Sequence, residues 1–292
     1  MALSPSVPAD VVLALTGGAR AGRVRRALTR HPTLVAGAAC LLLILLAGVF
    51  APVWWTGDPL ALRPAQRLRS PSAEHWFGSD HFGRDIYTRT VYGTRISLTV
   101  GSAVSLVSLA VGTVLGLVIG FYRRADAIFM RVMDGLMAIP AILLALALMA
   151  LMRASVRNVI IALVITEIPR VVRLVRSLVL SLRETVMVEA ARALGVGIPR
   201  ILVRYILPAL VAPLIVQATY ICASAMLFEA YLSFLGAGTP PHIPSWGNIM
   251  AEGRAYVQLA FWIILFPGLF VALTVLSVKL VGDGLRDLLK VR

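Results

Sequence analysis

Charge is scarce in this chain, and lysine scarcer still. Only 14% of the 292 residues are Asp, Glu, Lys or Arg, while 59% are hydrophobic. That is too little polar surface to coat a water-soluble globule of this length, so lipid must cover part of it. The only lysines, Lys279 and Lys290, follow Val278 and Leu289. A phosphate-binding loop of the GxxxxGK[ST] type sets its lysine after a glycine, beside the β- and γ-phosphates, so neither lysine belongs to one. The two cysteines, Cys40 and Cys222, fall inside apolar stretches and imply no disulfide framework and no CxxC redox or zinc site. The histidines are His31, His75, His81 and His242, with no HExxH, GxSxG or paired-carboxylate arrangement in a span, so an enzymatic reading lacks both nucleophile and metal cage. The group His75, Asp80, His81 and Asp85 contains metal-ligand types, but its spacing reads as a hydrogen-bonded turn. No catalytic residue, cofactor or metal is therefore expected in this chain.

What is present is a series of long apolar runs, and about 20 such residues suffice to cross a bilayer as helix. Residues 32–57, 96–122, 205–228 and 255–278 carry no charge, and the shorter run 135–152 sits at the lower limit for a span. After Arg157 a sixth apolar run meets Glu167, Pro169, Arg170, Arg173 and Arg176. Parity argues that it crosses too. Cytoplasmic loops are rich in Lys and Arg, and the basic segments near Arg123, Arg183 and Lys279 share a side only if it does. The expectation is an all-α membrane protein with six spans, near 33–53, 97–122, 135–152, 157–176, 206–228 and 257–279, and both termini cytoplasmic. Residues 1–30 would be a poorly ordered cytoplasmic tail, and 31–292 the membrane domain. The first apolar run is longer than a signal-peptide core and reads as an uncleaved span. On this topology 19 of the 28 basic residues lie inside, so the net charge of +14 is mainly a topology signal. The arginines gather into no groove with stacking aromatics, which argues against nucleic acid.

Between the fourth and fifth spans, residues 183–204 carry a pattern of their own. Val188, Ala191 and Leu194 recur at helical spacing, Gly195-Val196-Gly197 permits a sharp turn, and Pro199 suits the first turn of a following helix. Ala190, Ala191 and Ala193 keep the projection slim, and Arg192, Arg200 and Arg204 can meet acidic groups of a partner. Glu189 can accept hydrogen bonds from the partner or from the turn. The same residues also fit an interfacial amphipathic helix with snorkelling arginines, and the physical pattern leaves the two open.

A resemblance separates them. Glu189-Ala190-Ala191, then Gly195, then Leu207-Pro208 resembles the EAA loop of bacterial ABC importer permeases, with Tyr205 where that family favours Ile. The stretch His75 to Leu98, HWFGSDHFGRDIYTRTVYGTRISL, resembles the external signature of oligopeptide and dipeptide C-type permease subunits, with Ser79 for Thr and Thr88 for Ser. Residues 228–254, with FPGL at 266–269 and GDGLRD at 282–287, resemble the same family's C-terminal third. The resemblance implies a type I ABC importer permease whose coupling helix docks into an ATPase. The implied partners are a homologous B-type permease, two cytoplasmic ATPases holding ATP and Mg, an extracytoplasmic binding protein and a peptide substrate, in a bacterial inner membrane. Nickel complexes and other small solutes are alternative cargoes within that family.

Two further groups bear on function. Gly78, Asp80, Gly83, Arg84, Asp85 and Arg89 lie in the expected external connection, either as a gate or binding-protein platform or as a loop of local ion pairs. Trp246 and Tyr256 suit a membrane interface. Glu167 and Glu229 are the carboxylates nearest the membrane interior and hence substrate-path candidates, or proton sites if transport were ion-coupled. Simpler roles are a pairing of Glu167 with Arg170 and a cap by Glu229 on the outer end of the fifth span.

Overall fold

The computed structural model describes residues 32–50 and 57–290, with the side chains of 123–125 and 289–290 left aside. The expected tail 1–30, His31 and the end of the first expected span at 51–53 lie outside the described residues. Among the described residues every regular element is helical, and the one β contact is an isolated antiparallel bridge between Ser79 and Asp85. Helix α1 spans Pro32–Phe50. After a single 3₁₀ turn at Pro64–Gln66 the chain enters α2, Ile86–Phe121, the longest helix at 36 residues. It starts well before the expected 97, because the Asp85 carboxylate caps it by accepting the Thr88 N–H at 2.8 Å.

The third expected span, 135–152, is not one helix. Helix α3 (Arg123–Ala138) and α4 (Ala141–Leu151) meet at 90°. Pro140 clashes with a helical residue before it, and Ile139 is accordingly extended at φ −89° and ψ 128°. Helix α5 (Val156–Leu182) is capped by Ser155 and runs unbroken through Glu167 and Pro169. Its 27 residues span about 40 Å at 1.5 Å per residue. Next come α6 (Val186–Ala193), the short α7 (Ile198–Ile201), a π-helical turn at Leu202–Ile206, and α8 (Leu207–Phe234). Helix α9 (Trp246–Gly253) leads through a 3₁₀ turn at Arg254–Tyr256 to α10 (Trp262–Lys290). The last helix thus begins later than the expected 257, since the Tyr256 carbonyl closes a turn by accepting the N–H groups of Leu259 and Ala260.

Among the described residues, four helical runs can cross a membrane by length and composition, or five if the bent α3–α4 pair is one span. Helix α5 is long enough, but its charges set it apart from these. The bundle is organised on the α2–α5 pair, with α8 against α2 and α10, and α10 against α1. Gly112, Gly116 and Gly120 make one small-residue stripe on α2, and a Cβ at each would lie 2.6–2.8 Å from Val171, Val175 and Val179 respectively. Only a glycine lets the two backbones come this close, which is how membrane helices gain packing where lipid supplies no hydrophobic drive. Helix α3 is tied to α5 by ion pairs, Arg173 to Asp134 at 2.6 Å and Arg176 to Asp126.

Candidate functional site

Helix α6 stands off the bundle at the end of α5. Val188 and Ala191 turn inward and are buried, while Glu189, Ala190 and Arg192 are exposed. The expectation that Ala191 slims the outer surface is corrected: it packs into the core, because it lies three residues after Val188 on the inner face. Gly195 adopts φ +76°, and two hydrogen bonds close the helix, Gly195 N–H to Arg192 C=O at 2.9 Å and Val196 N–H to Ala191 C=O at 3.0 Å. This is a Schellman motif, which requires a left-handed residue at that position. Pro199 sits in the first turn of α7, where its missing N–H costs nothing, and Leu207 and Pro208 open α8. The Arg192 guanidinium lies 4.7 Å over the Phe121 ring at the end of α2 and so props α6 against the bundle.

What sequence reading missed is the apolar tip. Val186, Met187 and Leu194 are 80%, 56% and 83% exposed. The signal was available, since an eight-residue helix with apolar residues on both faces cannot bury both in its own bundle. The tip is thus an exposed apolar surface beside the exposed charges Glu189, Arg192 and Arg200.

The residues of the expected external signature converge on a charged knot. Asp80 accepts Arg84 Nε at 2.6 Å and Arg89 Nη1 at 2.7 Å through one oxygen, and the N–H groups of Phe82 and Arg84 through the other. Glu252 of α9, far along the chain, closes it by accepting Arg89 Nη1 at 2.6 Å, Arg89 Nη2 at 3.2 Å and Arg84 Nη2. The local ion pairs expected here are present, but Glu252 makes them a tertiary link between the α2 entrance and α9. Gly78 and Gly83 both have positive φ, and His75 Nδ1 lies 3.2 Å from Asp85 Oδ1. Asp80, His81 and Glu252 bring ligand-type atoms within 4.8 Å of one another. Both carboxylates are already held by Arg84 and Arg89, and two guanidiniums there oppose a cation. Trp246 is not at an interface: it is fully buried, with Nε1 donating to the Thr90 carbonyl at 2.9 Å.

Both interior carboxylates are covered. Glu167 pairs with Arg170 Nη1 at 2.8 Å, as the simpler reading had it. Glu229 does not cap a helix end. It lies inside α8 with its carboxylate accepting from Ser97 and Ser233, and Ser233 in turn contacts Thr239 at 3.0 Å.

Among the described residues, a helical bundle of apolar runs with a broken third segment and an outlying helix–turn–helix tip defines a multi-pass membrane protein. The chain belongs to the family described as the binding-protein-dependent transport system inner membrane component, which it matches over residues 112–292. Among its relatives, the dipeptide transport system permease protein of Alkalihalophilus pseudofirmus is 43% identical over 263 residues, covering 90% of this chain and 86% of that one. The di/tripeptide transport system permease protein of Pseudomonas aeruginosa is 40% identical over 256 residues, covering 85% and 84%. The solved structure of the MetNI methionine ABC transporter in inward-facing conformations shares the fold at a TM-score of 0.58, with 20% identity, over 70% of this chain and 96% of that one.

Proposed function

We propose that this chain is the transmembrane permease subunit of an ATP-driven importer of di- or oligopeptides. It forms the translocation pathway with a homologous permease, two cytoplasmic ATPases hold ATP and Mg, and an extracytoplasmic binding protein delivers the peptide. The carrying observation is the apolar, Schellman-closed tip at α6, a rigid handle for an ATPase surface. The names of its 40–43% identical relatives support peptide as cargo. In this reading α5 completes six spans, both termini are cytoplasmic, and the charged knot faces outside. Glu167 pairs with Arg170, and Glu229 accepts from Ser97 and Ser233, which favours structural roles for both over ion coupling.

Nucleotide-driven closure of the ATPases would move the tip, and coupling requires that it bind differently in the two states. Gly195→Val tests this. A Cβ at Gly195 meets nothing within 4 Å, so the substitution acts through φ alone, at a cost of about 1–2 kcal/mol. The complex should insert and assemble normally, yet move less peptide per ATP in proteoliposomes, while Gly195→Asn, which tolerates this backbone, is milder. Unchanged uptake per ATP in the valine variant would count against the tip as the coupling element.

A further inference from the structure

Both interior carboxylates are covered, but the charge beside Glu167 on α5, Arg170, is partly open. Its side chain is 37% exposed, although it lies on the order of 20 Å of helix from either end of α5. If α5 crosses the membrane, as the permease reading has it, a guanidinium near its middle faces a water-filled path or another protein and not hydrocarbon. Its neighbours on the same side of the helix are polar. Thr166, Arg170, Arg173 and Ser177 fall at helical spacing on one side of α5, while Val171, Val175 and Val179 on the other are buried against α2. From α8, Tyr220 is 47% exposed and its ring lies 5.3 Å beneath the guanidinium. Arg170 and Thr166 line a cavity of about 120 Å³ at the α3–α4 break, walled by Ile139 and Pro140.

The hydrogen bonds of Arg170 are one-sided. Nη1 donates to both Glu167 oxygens, at 3.0 and 2.8 Å, while Nε and Nη2 donate to nothing among the described residues. That Nε–Nη2 edge is the fork that grips a carboxylate with two parallel bonds.

We infer that Arg170 is a carboxylate-recognition station on the translocation path, taking the C-terminal carboxylate of the passing peptide on its free edge. Glu167 is a positioning residue that holds the guanidinium from behind, and Tyr220 supports its face. The Glu167 charge also weakens the grip. A site on a path must attract its cargo and still release it. The cavity has room for the end of a peptide and not for a whole one, as a passing contact requires. This station rests on the permease reading above.

The test uses the whole importer in proteoliposomes, with its ATPases, partner permease and binding protein. Substituting Glu167→Gln together with Arg170→Gln leaves no buried carboxylate unpaired. Uptake of a tripeptide with a free C-terminus is compared with that of its C-terminal amide, each at a concentration saturating the binding protein. The double variant should lose free-acid uptake on the order of tenfold, the worth of a charge-assisted pair of hydrogen bonds, and keep amide uptake close to wild type. Equal loss of both peptides would assign Arg170 to the fold or to an acidic side chain of the partner permease and overturn the station. Undiminished free-acid uptake would overturn it as well. A wild-type importer that moves no peptide with ATP would sink the permease reading itself, an outcome distinct from either of those.

Discussion

Arg89 shows how much one residue can hold together. It is fully buried and reaches both Asp80 and Glu252, so removing it leaves two carboxylates with the single guanidinium of Arg84 to balance them. Arg89→Met should destabilise the protein by about 3–5 kcal/mol, seen as a lower midpoint of thermal unfolding in detergent. The exposed pair of Arg173 and Asp134 is the contrast, and Asp134→Asn should cost at most about 1 kcal/mol in the same assay. His81 adds a pH dependence to the knot. Burial against Phe82 and Tyr256 pushes its pKa below the ordinary 6.5, with Asp80 and Glu252 opposing that shift and Arg84 and Arg89 adding to it. The folded state therefore binds a proton less readily than the unfolded chain. Its stability is fully present above 6.5 and is lost as pH falls through the lower folded value. The unfolding midpoint should drop between pH 8 and pH 5, and His81→Gln should flatten that slope; an unchanged slope would remove His81 as the source.

At the scale of elements, the α2–α5 seam carries the bundle. A side chain at Gly116 would start 2.6 Å from Val175 Cβ, so Gly116→Leu must push the two helices apart. The expected cost is about 1–3 kcal/mol, with loss of assembled importer on size-exclusion chromatography. Gly135→Leu is the control, because nothing lies within 4 Å of its added Cβ. If both variants assemble alike, the seam is looser than its geometry states. The α3–α4 break works oppositely. Pro140 interrupts a run that composition alone reads as a single span, and so opens the cavity beside Arg170.

For the whole molecule, parity is the handle on topology. If α5 crosses, the α6 tip and the charged knot lie on opposite sides of the membrane. In a variant with Cys40 and Cys222 replaced, single cysteines at Leu62 and Leu194, which are 64% and 83% exposed, should react with a membrane-impermeant maleimide from opposite faces. Labelling of both from one face would exclude six spans.

Much of this protein follows from order along the chain. Four uncharged runs imply membrane helices because an unpaired backbone or charge is intolerable in hydrocarbon. The Gly195 turn was legible because a positive φ selects for glycine, and the Glu167–Arg170 pair because three residues on a helix are neighbours in space. Distance in sequence hid the rest. Glu252 joins Arg84 and Arg89 from more than 160 residues away, and no local pattern announces such a partner. Trp246 was read as interfacial and Glu229 as a cap from residue type alone, but burial is a property of what packs around a side chain. Above all, the chain's few charges determined that lipid surrounds it; only the packed helices decided that Glu167 and Glu229 are sealed while Arg170 is partly open.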